Sequence, residues 1–161
     1  MDNYLITGRV LHFISEPDSS FEQSFEYIEQ GALVIKAGKI EFCGLAADAR
    51  SLYPTLSAVD RSEQFILPGF IDTHTHYPQT EIIGAYGEQL LAWLETYTFP
   101  TEGKFCDKQY GADTAEFFLN QCLKNGTTTA MVFATVHPES VDAFFEKSEL
   151  LSICVIFAVK C

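Results

Sequence analysis

No stretch of this chain approaches the ~18 consecutive apolar residues of a membrane-spanning helix, so no membrane partner is expected. The opening Met1-Asp2-Asn3-Tyr4 has neither the basic start nor the apolar core of a secretory leader, and a cytoplasmic location is the expectation. Positive charge is scarce: 10 Lys and Arg stand against 22 Asp and Glu, a formal net charge of -12. A surface that acidic repels phosphate backbones, which sets nucleic acid aside as a partner and leaves solubility as the ordinary reading of the charge. The 5 cysteines, Cys43, Cys106, Cys122, Cys154 and Cys161, are odd in number and form no C-x-x-C pair. Without an export signal they are expected to be reduced thiols. A zinc site of the cytidine-deaminase type needs a P-C-x-x-C element, and its absence removes that class.

What is present suffices for a packed core. Apolar residues make up 47% of 161, enough for one domain or one and a part. Residues 1–67 read as β-rich. Residues 4–14 form a strand pattern around Gly8, residues 15–26 are mostly polar and form a loop, and 32–36 and 39–43 flank Ala37-Gly38 as a hairpin. His12, between Leu11 and Phe13 on a strand, is expected to be structural.

After Gly69 the pattern alternates between strand and helix. Residues 88–98 carry Leu90, Leu94 and Tyr97 on one helical face, with Pro100 as the stop. From about Gly111, Ala115, Phe118, Leu119, Cys122 and Leu123 keep helical spacing until Asn125-Gly126. Residues 127–136 read as a strand and Pro138 opens the next helix, with Val141, Phe144 and Phe145 on its apolar face. Residues 151–159 read as a further strand. Strand, helix, strand, helix, strand implies parallel strands joined by right-handed crossovers.

The richest segment is residues 67–76, LPGFIDTHTH. On a strand, residues two apart share a face, so His74 and His76 present two imidazoles side by side. Imidazole is a common zinc ligand, and two on one rigid strand make half a site. The bland alternative is a hydrogen-bonded polar pair at a strand end. Asp72 is placed to support an imidazole from behind rather than to ligate. The carboxyl end of a parallel strand is where active sites of (β/α)₈ barrels and open α/β sheets lie.

Several blocks of this sequence resemble the amino-terminal part of the guanine deaminase family, within the amidohydrolase superfamily. They are residues 34–39 (VIKAGK), 67–79 (LPGFIDTHTHYPQ), 84–94 (GAYGEQLLAWL), 97–102 (YTFPTE), 124–130 (KNGTTTA) and 133–138 (FATVHP). The D-x-H-x-H element is shared across the superfamily; His76-Tyr77-Pro78-Gln79 and the YTFPTE block are closer to guanine deaminases. The resemblance implies an α/β fold: an incomplete (β/α)₈ TIM-type barrel, its first three strands in residues 68–161, preceded by part of a small β-sandwich in 1–67. In the family that sandwich is built from both ends of the chain.

The same resemblance implies that His74 and His76 are zinc ligands, that Gln79 hydrogen-bonds a purine base and that His76 lines its pocket. Trp93 matches a position near the site, although an aromatic on an amphipathic helix reads more readily as core. His137 matches without a ligand role, and capping or loop packing is expected of it. The implied reaction is zinc-dependent hydrolysis of guanine to xanthine and ammonia. The remaining zinc ligands, a proton-shuttling glutamate and a base-gripping arginine are expected beyond Cys161, so no catalytic acid or base is assigned within the chain. A barrel takes ~250 residues, and the chain is therefore expected to be truncated and inactive alone. Two alternatives stay open: a related deaminase or chlorohydrolase acting on another heterocycle, and a non-catalytic fragment that associates through unpaired strand edges. A homo-oligomer is equally open.

Overall fold

The structure, a computed structural model, describes residues 3–17, 21–87, 89–151 and the backbone of 154–158. The expected loop residues 18–20, the helix start at Glu88 and the last residues 159–161 lie outside the described residues. The chain divides into two compact units, Met1–Pro68 and Gly69–Cys161.

The first unit is a four-stranded sheet. Its elements are β1 (Tyr4–Phe13), β2 (Phe25–Lys36), β3 (Lys39–Leu45), α1 (Ala46–Leu52) and β4 (Ser57–Ile66), and the strand order is β3-β2-β1-β4. β2 runs antiparallel to both β1 and β3, whereas β4 pairs parallel to β1. The β2–β3 hairpin closes through Ala37 (φ 49°) and Gly38 (φ 77°), both left-handed, the geometry whose twist matches paired strands. Leu5, Ala32, Val34 and Ala49 form the buried core, with Phe42, Tyr53 and Leu56 packed on it.

In the second unit β5 (Phe70–His76), β6 (Thr127–Phe133) and β7 (Cys154–Ala158) lie parallel in chain order. α2 (Leu90–Trp93), α3 (Phe99–Glu102) and α4 (Lys108–Lys124) lie between the first two strands, and α5 (Pro138–Leu151) connects the second pair. α4 begins where the Asp107 carboxylate accepts from the backbone N–H groups of Gln109 and Tyr110, and it ends ahead of Gly126, whose φ is +83°. Tyr77, Phe105, Ala115, Leu119, Ala130, Val132, Ala134 and Phe144 make one buried cluster between sheet and helices. A Cβ at Gly69 would collide with Thr128, so only glycine allows β5 to start this close to β6.

Three expectations need correcting here. The helix expected to stop at Pro100 runs through it: α2 passes into a π turn at Leu94–Thr98 and then into α3. Pro100 has no N–H to donate, and the wider π turn ahead of it takes up the misfit that a regular helix would meet. Leu90 and Leu91, expected on a buried face, are exposed. The last strand starts at Cys154 rather than 151, because Leu151 completes α5. No helix of the described residues is long and apolar enough to cross a membrane.

Candidate metal centre

β5 enters its sheet out of phase with itself. Asp72 is paired with Ala130, but Thr75 is paired with Val132 and His76 with Phe133, with an irregularity between Asp72 and Thr75. Ala130 and Val132 are the residues of β6 that face the helices. The slip therefore separates Asp72 from the face that carries the histidines. Asp72 lies close enough to Cys122 of α4 for its charge to add to burial in pushing that thiol up from its ordinary value. Its Oδ1 accepts from the backbone N–H of His74 at 3.0 Å. Asp72 thus supports the strand's irregular backbone through a local Asx-type bond.

Beyond the slip, His74 and His76 converge. Their Nε2 atoms are 3.2 Å apart, and their ring centroids 5.2 Å. Phe133, opposite on β6, holds both rings: its centroid lies 4.7 Å from His74 and 4.8 Å from His76, and it is stacked on the latter at 15°. Zinc–imidazole bonds of about 2.0–2.1 Å at a tetrahedral angle place two ligand nitrogens roughly 3.3–3.4 Å apart. The pair fits a metal ion as two of its donors. Among the described residues no group of three or more His, Cys, Asp and Glu side chains converges to hold a metal.

The histidines form one wall of a cleft of about 410 Å³, closed elsewhere by Gln79, Ile82, Ile83, Gly84, Ala85 and Trp93. Gln79 belongs to the short 3₁₀ turn Tyr77–Ile82 that continues β5. That turn is anchored by Tyr77, whose ring packs edge-on to Phe105 at 5.3 Å and against Phe144 at 4.5 Å. The Tyr77 hydroxyl donates to the Ser140 carbonyl at 2.5 Å. Burial pushes this phenol far up, and the Ser140 bond only partly opposes it, so Tyr77 is a neutral anchor. Behind the cleft wall Glu102, 9% exposed, accepts from Gln79 Nε2 at 3.4 Å.

Two contributors were not legible beforehand, and a third, Trp93, was legible only through the resemblance. Trp93, read from sequence as core, lines the cleft and donates its indole N–H to the Ala85 carbonyl at 2.9 Å. The reason is the π turn that follows it, which breaks the helical face on which a core position was inferred. Glu102 and Phe133 fall in the YTFPTE and FATVHP blocks, which assigned neither to the site; they join it through tertiary pairing. His137 does not line this cleft. Its N–H donates to Thr135 Oγ1 and its carbonyl accepts from Ser140 Oγ, a closed loop network at the start of α5. His12 pairs with Glu26 at 3.1 Å.

Residues 65–160 match the amidohydrolase family. The guanine deaminase of Escherichia coli (strain K12) is 46% identical over 148 residues, which is 91% of this chain and 34% of that protein. The solved structure of E. coli guanine deaminase superposes with a TM-score of 0.89 at 42% identity, over 97% of this chain and 37% of that one. Guanine deaminase from Bradyrhizobium japonicum gives 0.90 at 31% identity, over 98% and 35%. That from C. acetobutylicum, solved with guanine bound in the active site, gives 0.75 at 28%, over 97% and 36%. The chain spans about a third of the length of the curated relatives it matches.

Proposed function

The chain belongs to the amidohydrolase family, and on that footing we propose that its cleft is the purine-facing part of a zinc-dependent guanine deaminase site, converting guanine to xanthine and ammonia. The observation that carries the reading is the 3.2 Å convergence of His74 and His76 Nε2 on the wall of a cleft that also holds Gln79. The likeness to guanine deaminases, one of them solved with guanine, selects the substrate.

His74 and His76 hold the metal, with Phe133 limiting the swing of both rings. Bound there, zinc supplies an activated water, its pKa lowered toward ~7, for hydrolytic displacement of an exocyclic amine. Gln79 hydrogen-bonds the edge of the base and sets its angle to the histidines. Ile83 and Trp93 give the ring apolar walls. Asp72 supports the irregular β5 backbone through the His74 N–H, and its own side chain stays off the face that carries the two imidazoles. The remaining donors and the proton shuttle belong to parts of such a protein outside these 161 residues. In the same reading the second unit supplies the first three steps of a (β/α)₈ barrel, and the first unit is part of a β-sandwich. Cys43, Cys106 and Cys122, free thiols in the structure, suit a reducing cytosol.

The test grafts residues 1–161 in place of the matching stretch of E. coli guanine deaminase and measures xanthine formation and zinc content on one sample. The graft should turn over guanine with zinc bound. His74→Ala or His76→Ala should strip the metal, and Gln79→Ala should weaken turnover with the metal retained. Stoichiometric zinc in both histidine variants, or unchanged turnover in Gln79→Ala, would overturn the assignment.

A further inference from the structure

We propose that Glu102 is the positioning residue that decides which polar edge of a heterocycle this cleft accepts. The proposal rests on the reading of Gln79 as the base-contacting group. An amide is ambidextrous: turned one way it offers a carbonyl acceptor, turned the other an N–H donor, and nothing in its own shape decides between them. Here the choice is made from behind. Gln79 Nε2 donates to Glu102 Oε1 at 3.4 Å, and Glu102 is nearly buried and is not among the residues that line the cleft. A carboxylate only accepts. The reversed amide would set two acceptors against each other in a poorly solvated place, which is costly. The partner's chemistry therefore fixes the hand of the amide and leaves the carbonyl oxygen for the cleft.

A carbonyl presented there takes an edge with a ring N–H, as in a lactam. A heterocycle that offers a bare ring nitrogen at the same place meets acceptor with acceptor and is rejected. Guanine carries a ring N–H between its carbonyl and its amino-bearing carbon; the six-membered ring of adenine has no N–H at all, only bare nitrogens. The backbone explains how Glu102 arrives. It closes α3, directly after the π turn at Leu94–Thr98, and both Thr101 and Glu102 are buried there. A segment 23 residues from Gln79 is thereby brought under it.

The experiment compares the wild-type chain with Glu102→Gln, which keeps size and hydrogen-bonding capacity but can also donate. The first readout is the Gln79 side-chain amide pair in a ¹⁵N-edited NMR spectrum, assigned through Gln79→Glu. One amide proton should be shifted and protected in the wild type and should lose that protection in Glu102→Gln and in Glu102→Ala. Unchanged Gln79 signals in both variants would overturn the proposal whatever guanine does. The second readout titrates guanine and adenine separately, followed by Trp93 fluorescence. The preference for guanine over adenine should fall roughly tenfold in Glu102→Gln. A merely structural role would weaken both ligands equally, and that outcome also overturns the proposal. A wild-type chain that responds to neither base counts against the reading of function, while the amide signals still decide the role of Glu102.

Discussion

His12 and His74 both stand near the carboxyl end of a β-strand, and their Nε2 atoms are used in opposite ways. In the first unit His12 Nε2 faces the Glu26 carboxylate at 3.1 Å, with Cys43 Sγ 3.9 Å away. In the second, His74 Nε2 faces the same atom of His76 at 3.2 Å. A carboxylate opposite an imidazole completes a pair of complementary charge when the ring is protonated. Two imidazoles opposite each other cannot be completed that way, because one must give up its proton to accept from the other. The second arrangement has the spacing at which two rings could share one cation. A histidine on a strand is thus not informative until the atom opposite its Nε2 is known.

The contrast can be broken most sharply at the metal. His74→Ala or His76→Ala should lower zinc affinity by more than about a hundredfold in a chelator-competition assay, since a ligand counts for more than the groups behind it. His12→Ala should leave the affinity unchanged; an equal loss there would make the two settings equivalent. A smaller effect is expected at Phe133. Phe133→Ala removes the surface on which both rings rest, and zinc affinity should fall roughly tenfold with His74 and His76 intact. The smallest effect is at Asp72→Asn, which keeps the oxygen that accepts from His74 N–H and removes only charge. Burial is the larger cause that raises the Cys122 thiol, and the Asp72 charge is the lesser one. Removing that charge lowers the thiol pKa, so the thiolate fraction rises at a given pH. Alkylation of Cys122 by iodoacetamide near pH 8 should quicken roughly twofold. A slower reaction would mean that Asp72 does not face α4.

Much of this was readable beforehand, and the reasons are local. α4 was visible because Ala115, Phe118, Leu119 and Cys122 repeat with the helix and Asn125-Gly126 ends it. The hairpin at Ala37-Gly38 was visible because two β-type runs flank a two-residue turn that contains glycine, and both turn residues are left-handed as that turn requires. The sharing of a face by His74 and His76 followed from the strand period alone. The slip between Asp72 and Thr75 did not, because register belongs to two strands and only one of them was being read. The passage of the helix through Pro100 was hidden for a related reason: a proline rule assumes regular spacing, and the π turn before it is not regular. Glu102 was invisible because its meaning lies in Gln79, far away in the sequence.

The neighbour order β5-β6-β7 is also the order in which the ribosome delivers these strands. None has to be inserted between two already placed, so the sheet can lengthen at one edge while synthesis proceeds. The histidine strand comes first and must wait through the whole of α2 to α4 before β6 arrives to pair with it. During that interval it is a solitary strand carrying the exposed apolar residues Phe70 and Ile71. Pro68 ahead of it and the charge of Asp72 within it are the kind of features that keep such an edge from finding another chain. The carboxylate that supports the irregular backbone beside the histidines thus also guards the nascent strand before it has a partner.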